Sequence, residues 1–184
     1  MPRRLLRDGR IVDDDWLYLA EAPDRDLSSL IVSFDQWLQD RETLTSFPGR
    51  LGVVLAPAQA VETLVPDLGR FALIAAQFDA PSEGRGYTQA RLLRERWKFA
   101  GELRAIGCVR QDQLFFLARC GFNSFELPDS EMHEAHKALS TFSWAYQPSN
   151  DLGLDHALRH REEPRGSRLG GDGQPRPTDT PASA

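Results

Sequence analysis

The residues best equipped for chemistry lie between positions 79 and 110. Asp79-Ala80-Pro81-Ser82-Glu83-Gly84-Arg85-Gly86-Tyr87 follows an apolar run and leads into a helical pattern. Gly84 and Gly86 permit a positive φ and close approach of the backbone to a ligand. The helix N-terminus expected at Gly86 and Tyr87 offers unpaired N–H groups and the positive end of a dipole, a combination that favours an anion. Arg85 adds a guanidinium fork suited to phosphate, sulfate or carboxylate. The net charge of −5 is uneven: residues 1–82 sum to −5, residues 83–110 to +4 and residues 111–184 to −4. This basic island holds Arg91 and Arg94, which share a helix face as an i, i+3 pair, and Arg104 on a strand pattern. Gly84, Arg85, Gly86, Tyr87, Arg91, Arg94 and Arg104 are therefore the anion-binding candidates. A solvated helix face with local pairing to Glu95 is the competing reading for Arg94, Arg96 and Lys98.

Weaker catalytic candidates surround the island. Cys108 follows the 103–106 run, where Arg104 and Arg110 could favour a thiolate, against the plainer role of a small apolar residue at a strand exit. Asp79, Asp112 and Glu126 are the nearest acids, and Asp112 in a first helical turn is stabilised by the dipole without any catalytic role. His133 and His136 have i, i+3 spacing, but HExxH is absent and no third ligand is evident, so no metal site is expected. Gly84-x-Gly86 departs from a dinucleotide fingerprint, with Gln89 at the third glycine position and no acidic residue after the next strand. No cofactor is expected.

The elements that must position these groups alternate along the chain. Apolar runs at 30–33, 51–56, 71–77, 103–106 and 124–127 read as buried strands. Helical patterns at 34–40, 58–68, 87–97, 110–119 and 130–146 separate them. Five βα units predict an α/β fold with a parallel sheet, laid side by side as in part of a barrel or else as an open doubly wound sheet. A piece at 10–19 is expected to add a strand or hairpin. In both architectures the C-terminal ends of the strands carry the site.

Composition sets the outer limits. Residues 148–184 hold 7 apolar residues in 37, with five prolines and five glycines, whereas residues 1–147 hold 68 in 147. A single domain over 1–147 with a disordered tail over 148–184 is the expectation. No apolar run reaches the ~20 residues of a membrane span. MPRRLLRDGR has no apolar core of a secretory signal, so a cytoplasmic location is expected. Net acidity argues against nucleic acid as a partner. Two cysteines make neither a disulfide framework nor a four-thiolate cluster.

Several motifs together resemble a bacterial family, domain of unknown function 934. They are DGRIVDDDW at 8–16, GRGYTQARLLRER at 84–96, GELRAIG at 101–107, RQDQL at 110–114, RCGF at 119–122, and the ending Phe142, Tyr146 and Gln147. The resemblance covers 1–147 and implies a context: members accompany the assimilatory sulfite reductase of cysteine biosynthesis and are loosely labelled oxidoreductases. Cys108 stands where the family commonly has Asp, and Ala80-Pro81-Ser82-Glu83 replaces a shorter acidic element. A sirohaem–iron–sulfur reductase needs four cysteine ligands, so this chain is not the reductase itself. The expected function is accessory to sulfate or sulfite reduction, through a small anionic metabolite or sulfite reductase bound at the Gly-Arg-Gly loop. The alternatives are a small-molecule oxidoreductase, a barrel-like lyase or isomerase using the strand-end carboxylates, and a pure protein-interaction module.

Overall fold

The computed structural model describes residues 3–19 and 28–139, with side chains of the last helix described through Ala135. The 148–184 tail, the Phe142, Tyr146 and Gln147 ending and the His136 side chain lie outside the described residues. Among the described residues eight strands form one sheet: β1 (Arg4–Arg7), β2 (Arg10–Asp13), β3 (Leu17–Tyr18), β4 (Ser29–Ser33), β5 (Arg50–Leu55), β6 (Phe71–Phe78), β7 (Glu102–Gly107) and β8 (Ser124–Phe125). Their spatial order is β2-β1-β8-β7-β6-β5-β4-β3. From β3 to β8 the strands are parallel and follow chain order, as in half of a barrel, with no reversal of the doubly wound kind.

The sheet is mixed rather than wholly parallel, because β1 joins β8 antiparallel. The hairpin begins earlier than the 10–19 piece suggested. Asp8 (φ 49°) and Gly9 (φ 75°) make a two-residue turn with both central residues left-handed, and Arg7 faces Arg10 across it. Asp-Gly is the sequence that such a turn demands. The 10–19 piece divides into β2 and the two-residue β3.

Helices cover one face: α1 (Phe34–Gln39), α2 (Arg41–Thr45), α3 (Arg85–Arg91), α4 (Leu114–Cys120) and α5 (Asp129–Leu139). Ser33 starts α1 with a capping box, exchanging hydrogen bonds with Gln36. The 58–68 pattern becomes a 3-10 helix over Val61–Arg70, since Pro66 within it has no N–H for an α-helical ladder. The 87–97 pattern starts two residues earlier, as α3, and changes to a π-turn over Leu92–Arg96. Among the described residues no helix is long and apolar enough to cross a membrane.

Strand alternation divides the apolar residues between two faces. Val32, Val53, Ile74, Leu103, Ala105 and Phe125 point towards the helices and meet Trp37, Leu64, Leu93 and Leu117 in the main core. Ile31, Leu73, Ala75 and Ile106 point the other way and pack with Trp16. Each fully buried Leu, Ile or Phe contributes about 1.5–3 kcal/mol, so the larger cluster dominates stability. Gly52 lets Trp16 lie on the sheet, for a Cβ there would sit 3.2 Å from the indole.

Candidate functional site

The parallel register sets the C-terminal ends of β6 and β7 side by side, with Phe78 opposite Gly107. Gly107 turns the chain sharply at φ +89°, and the Cys108 N–H donates to the Phe78 carbonyl at 2.7 Å. The exposed Cys108 thiol donates to the Asp79 carbonyl at 3.3 Å. The Asp79 carboxylate accepts from the Gln77 amide at 2.7 Å, and the Gln113 amide donates to the Pro81 carbonyl at 2.8 Å. The first part of the loop is thus fastened to β7 and to the turn that precedes α4.

Its centre is a carboxylate–guanidinium pair. Gly84 is the N-cap of α3 and has no side chain to cap it. Glu83 does so instead, accepting the Arg85 backbone N–H at 2.9 Å. Its two oxygens also take the Arg85 Nε and Nη2 at 2.9 and 2.7 Å. These bonds, the side-chain ones first and the backbone one second, hold the Glu83 carboxyl at about 2, against an ordinary 4.5. The folded value is depressed, so the stability it contributes is full above pH 4.5 and disappears as pH falls through about 2. A carbon-detected NMR titration of the Glu83 carboxylate should show a midpoint near 2; a midpoint at 4.5 would mean that the pair does not persist in solution.

The other anion-binding candidates are placed less uniformly. Neither Gly84 nor Gly86 has a positive φ. Gly86 is buried, and a Cβ there would stand 2.5 Å from the Phe78 ring, so its smallness serves helix–strand packing. Tyr87 packs edge-on against Phe78 with centroids 5.6 Å apart, and burial pushes its phenol up. Arg91 faces solvent and pairs with Glu95 at 3.0 Å. Arg94 turns inward: its guanidinium donates to the carbonyls of Gly121, Phe99 and Gly101. It braces three loop segments, and both the anion role and the solvated-face reading give way to that.

Arg104 is the clearest correction. It lies on the second face of the sheet with 0% side-chain exposure. Asp14 receives its two terminal nitrogens at 2.9 and 3.0 Å, and Glu102 accepts its Nε and Nη2 at 3.0 and 2.8 Å. Burial opposes the charge, but Glu102 and Asp14 outweigh it and raise the guanidinium pKa. Strand alternation turns Arg104 away from the helix face, so it does not join Arg85.

A family model described as a bacterial protein of unknown function (DUF934) matches residues 52–154, the segment containing the whole 79–87 loop. The chain belongs to this family. No curated protein matches the chain. The DUF934 match begins at Gly52, within β5, so Asp14, the deepest partner of Arg104, lies outside it.

The remaining candidates of this DUF934 protein are spread over separate elements. Asp112 is exposed in a 3-10 turn, Gln111–Gln113. Glu126 pairs with Arg3 at 3.0 Å. Cys120 is half-buried on α4 and burial pushes its thiol up. His133 is exposed beside Glu134. Among the described residues no group of three His, Cys, Asp or Glu is placed to hold a metal. Sequence reasoning missed Glu83, Gln77 and Gln113 as loop partners; the signal for Glu83 was its spacing of two residues from Arg85.

Proposed function

We propose that this DUF934 protein is an accessory factor of assimilatory sulfate and sulfite reduction that holds a small oxyanion at the loop between β6 and α3. Arg85 is the principal contact, aided by its own backbone N–H. Gly86 lets the helix start pack against Phe78, and Tyr87 lies edge-on to the same ring. The observation that carries the reading is the Glu83 carboxylate itself, which already occupies a position complementary to an oxyanion, bound by one backbone N–H and a two-pronged guanidinium. An incoming sulfite, sulfate or phosphate takes the place of Glu83, so the loop's own acid sets the affinity threshold. The pathway is the context that the sequence resemblance implies.

Calorimetric titration of the full chain with sulfite, sulfate and phosphate tests this. Arg85→Ala should abolish binding, and Glu83→Gln should strengthen it by about tenfold, because a charged competitor is removed. Equal affinity of wild type and Arg85→Ala, or no binding by either wild type or Glu83→Gln, would overturn the site. Growth on sulfate in a strain dependent on this gene tests the pathway separately.

A further inference from the structure

A second concave feature lies at the opposite end of the same strands. A groove of about 440 Å³ is lined by Leu68, Phe71, Trp97, Lys98 and Phe99, with small residues between them. That volume falls in the usual range of small-ligand sites. It opens at the N-terminal ends of β6 and β7, about 25 Å from the Arg85 loop at ~3.3 Å per strand residue. The two features therefore share no residue.

Three observations mark this groove as more than a packing gap. The Trp97 indole Nε1 is buried and has no hydrogen-bond acceptor, a deficit that an incoming acceptor would relieve. Lys98, at φ +53°, is the left-handed residue that closes the helix, and the Phe99 N–H donates back to the Leu93 carbonyl at 2.9 Å, so the backbone of Lys98 is fixed. The segment follows directly on the π-turn Leu92–Arg96, a geometry that recurs at functional sites.

The surroundings of Lys98 are rigid. Arg94 donates to the carbonyls of Phe99 and Gly101 on the far side of it. Phe99 is buried, and Gly101 is the only size that fits, since a Cβ there would lie 2.5 Å from the Phe99 ring and 2.7 Å from the Ala72 carbonyl. The groove is thus lined by a lysine and by a tryptophan whose N–H is unsatisfied, beside Leu68, Phe71 and Phe99.

We propose that this groove binds a small organic anion: an apolar, preferably flat body carrying one carboxylate or sulfonate. The body lies against Leu68, Phe71 and Phe99. The anionic head pairs with Lys98 and itself supplies the acceptor that the Trp97 N–H lacks. Arg96 stacks on the Trp97 ring at 4.9 Å and adds positive potential at the rim. A neutral molecule of the same shape gains the apolar contacts alone.

The test uses the full chain, with 2-naphthoate as the anionic probe and 2-naphthalenemethanol as its neutral counterpart, each titrated by calorimetry. Wild type should bind 2-naphthoate saturably at one site. Lys98→Gly should weaken it by about tenfold, the effect of losing a charged partner, with the alcohol unchanged. Glycine accepts the left-handed conformation, so this variant should melt no lower than wild type. Trp97→Phe, which keeps the ring and deletes the N–H, should weaken 2-naphthoate by about fivefold. The proposal falls if wild type shows no saturable binding, or if Lys98→Gly and Trp97→Phe both bind 2-naphthoate as wild type does. Loss of both probes together in Lys98→Gly would also overturn the assigned role of the charge.

Discussion

Arg104→Ala should lower the urea midpoint of unfolding more than any other single change considered for this protein. The substitution removes four charge-assisted hydrogen bonds and leaves Asp14, whose side chain is 1% exposed, as an uncompensated buried carboxylate. Breaking a buried pair from one side costs about 3–5 kcal/mol. Total domain stability is about 5–15 kcal/mol, so a large part of it rests on this guanidinium. The desolvation argument predicts the companion result. Arg104→Met combined with Asp14→Leu removes the pair from both sides and should recover much of the loss, because Glu102 keeps Arg7 as a partner at 3.5 Å. An Arg104→Ala protein with an unchanged midpoint would show that the buried pair contributes nothing.

Gly107→Ala should produce the second large effect, at the junction on which the loop depends. At φ +89° an alanine is strained by about 1–3 kcal/mol. Its Cβ would also fall 2.5 Å from the Phe78 carbonyl oxygen, which is backbone and has no rotamer to yield. Relief requires β6 and β7 to part at their ends, breaking the Cys108-to-Phe78 hydrogen bond and shifting the Asp79 carbonyl away from the thiol. A melting temperature lower by several degrees is expected, together with faster hydrogen exchange at the Cys108 amide. Gly84→Ala is the matched control. Its φ is −97° and a Cβ meets nothing within 4 Å, so the change should stay within about 0.5 kcal/mol. Equal melting temperatures for the two variants would contradict the geometry.

What the residues disclosed in advance follows a physical division. The runs that became β4 to β7 were legible because a parallel strand buried on two sides is a continuous apolar stretch. The hairpin's first strand was not legible as an apolar run, since Arg4–Arg7 has only two apolar residues; Asp8-Gly9 was the better signal. The loop before Tyr87 was found through its glycines, yet each glycine had a different reason to be there. Gly86 meets an aromatic ring, and the residue that needs a left-handed backbone is Gly107 on the neighbouring strand. Arg104 was misjudged because its partner Asp14 is 90 residues away, and long-range pairing leaves no local pattern. Arg94 was misjudged similarly: its acceptors are backbone carbonyls, which every sequence has.

The antiparallel edge has a consequence for the order of assembly. β1 has two neighbours, β2 at once and β8 only when Ser124 and Phe125 have been made. At roughly 5–20 residues per second the ribosome leaves this hairpin waiting about 6–24 seconds for its partner. During that interval Leu5 and Leu6, both fully buried in the finished protein and on opposite faces of β1, have only β2 beside them. Asp8, Asp13, Asp14 and Asp15 lie within the same short stretch as Arg3, Arg4, Arg7 and Arg10, and Arg4 faces Asp13 across the hairpin, so opposite charges bring its two strands together before the rest of the sheet exists. When Arg104 has been made it pairs with Asp14, so an acid that begins beside an isolated hairpin ends as the fastening of the completed sheet.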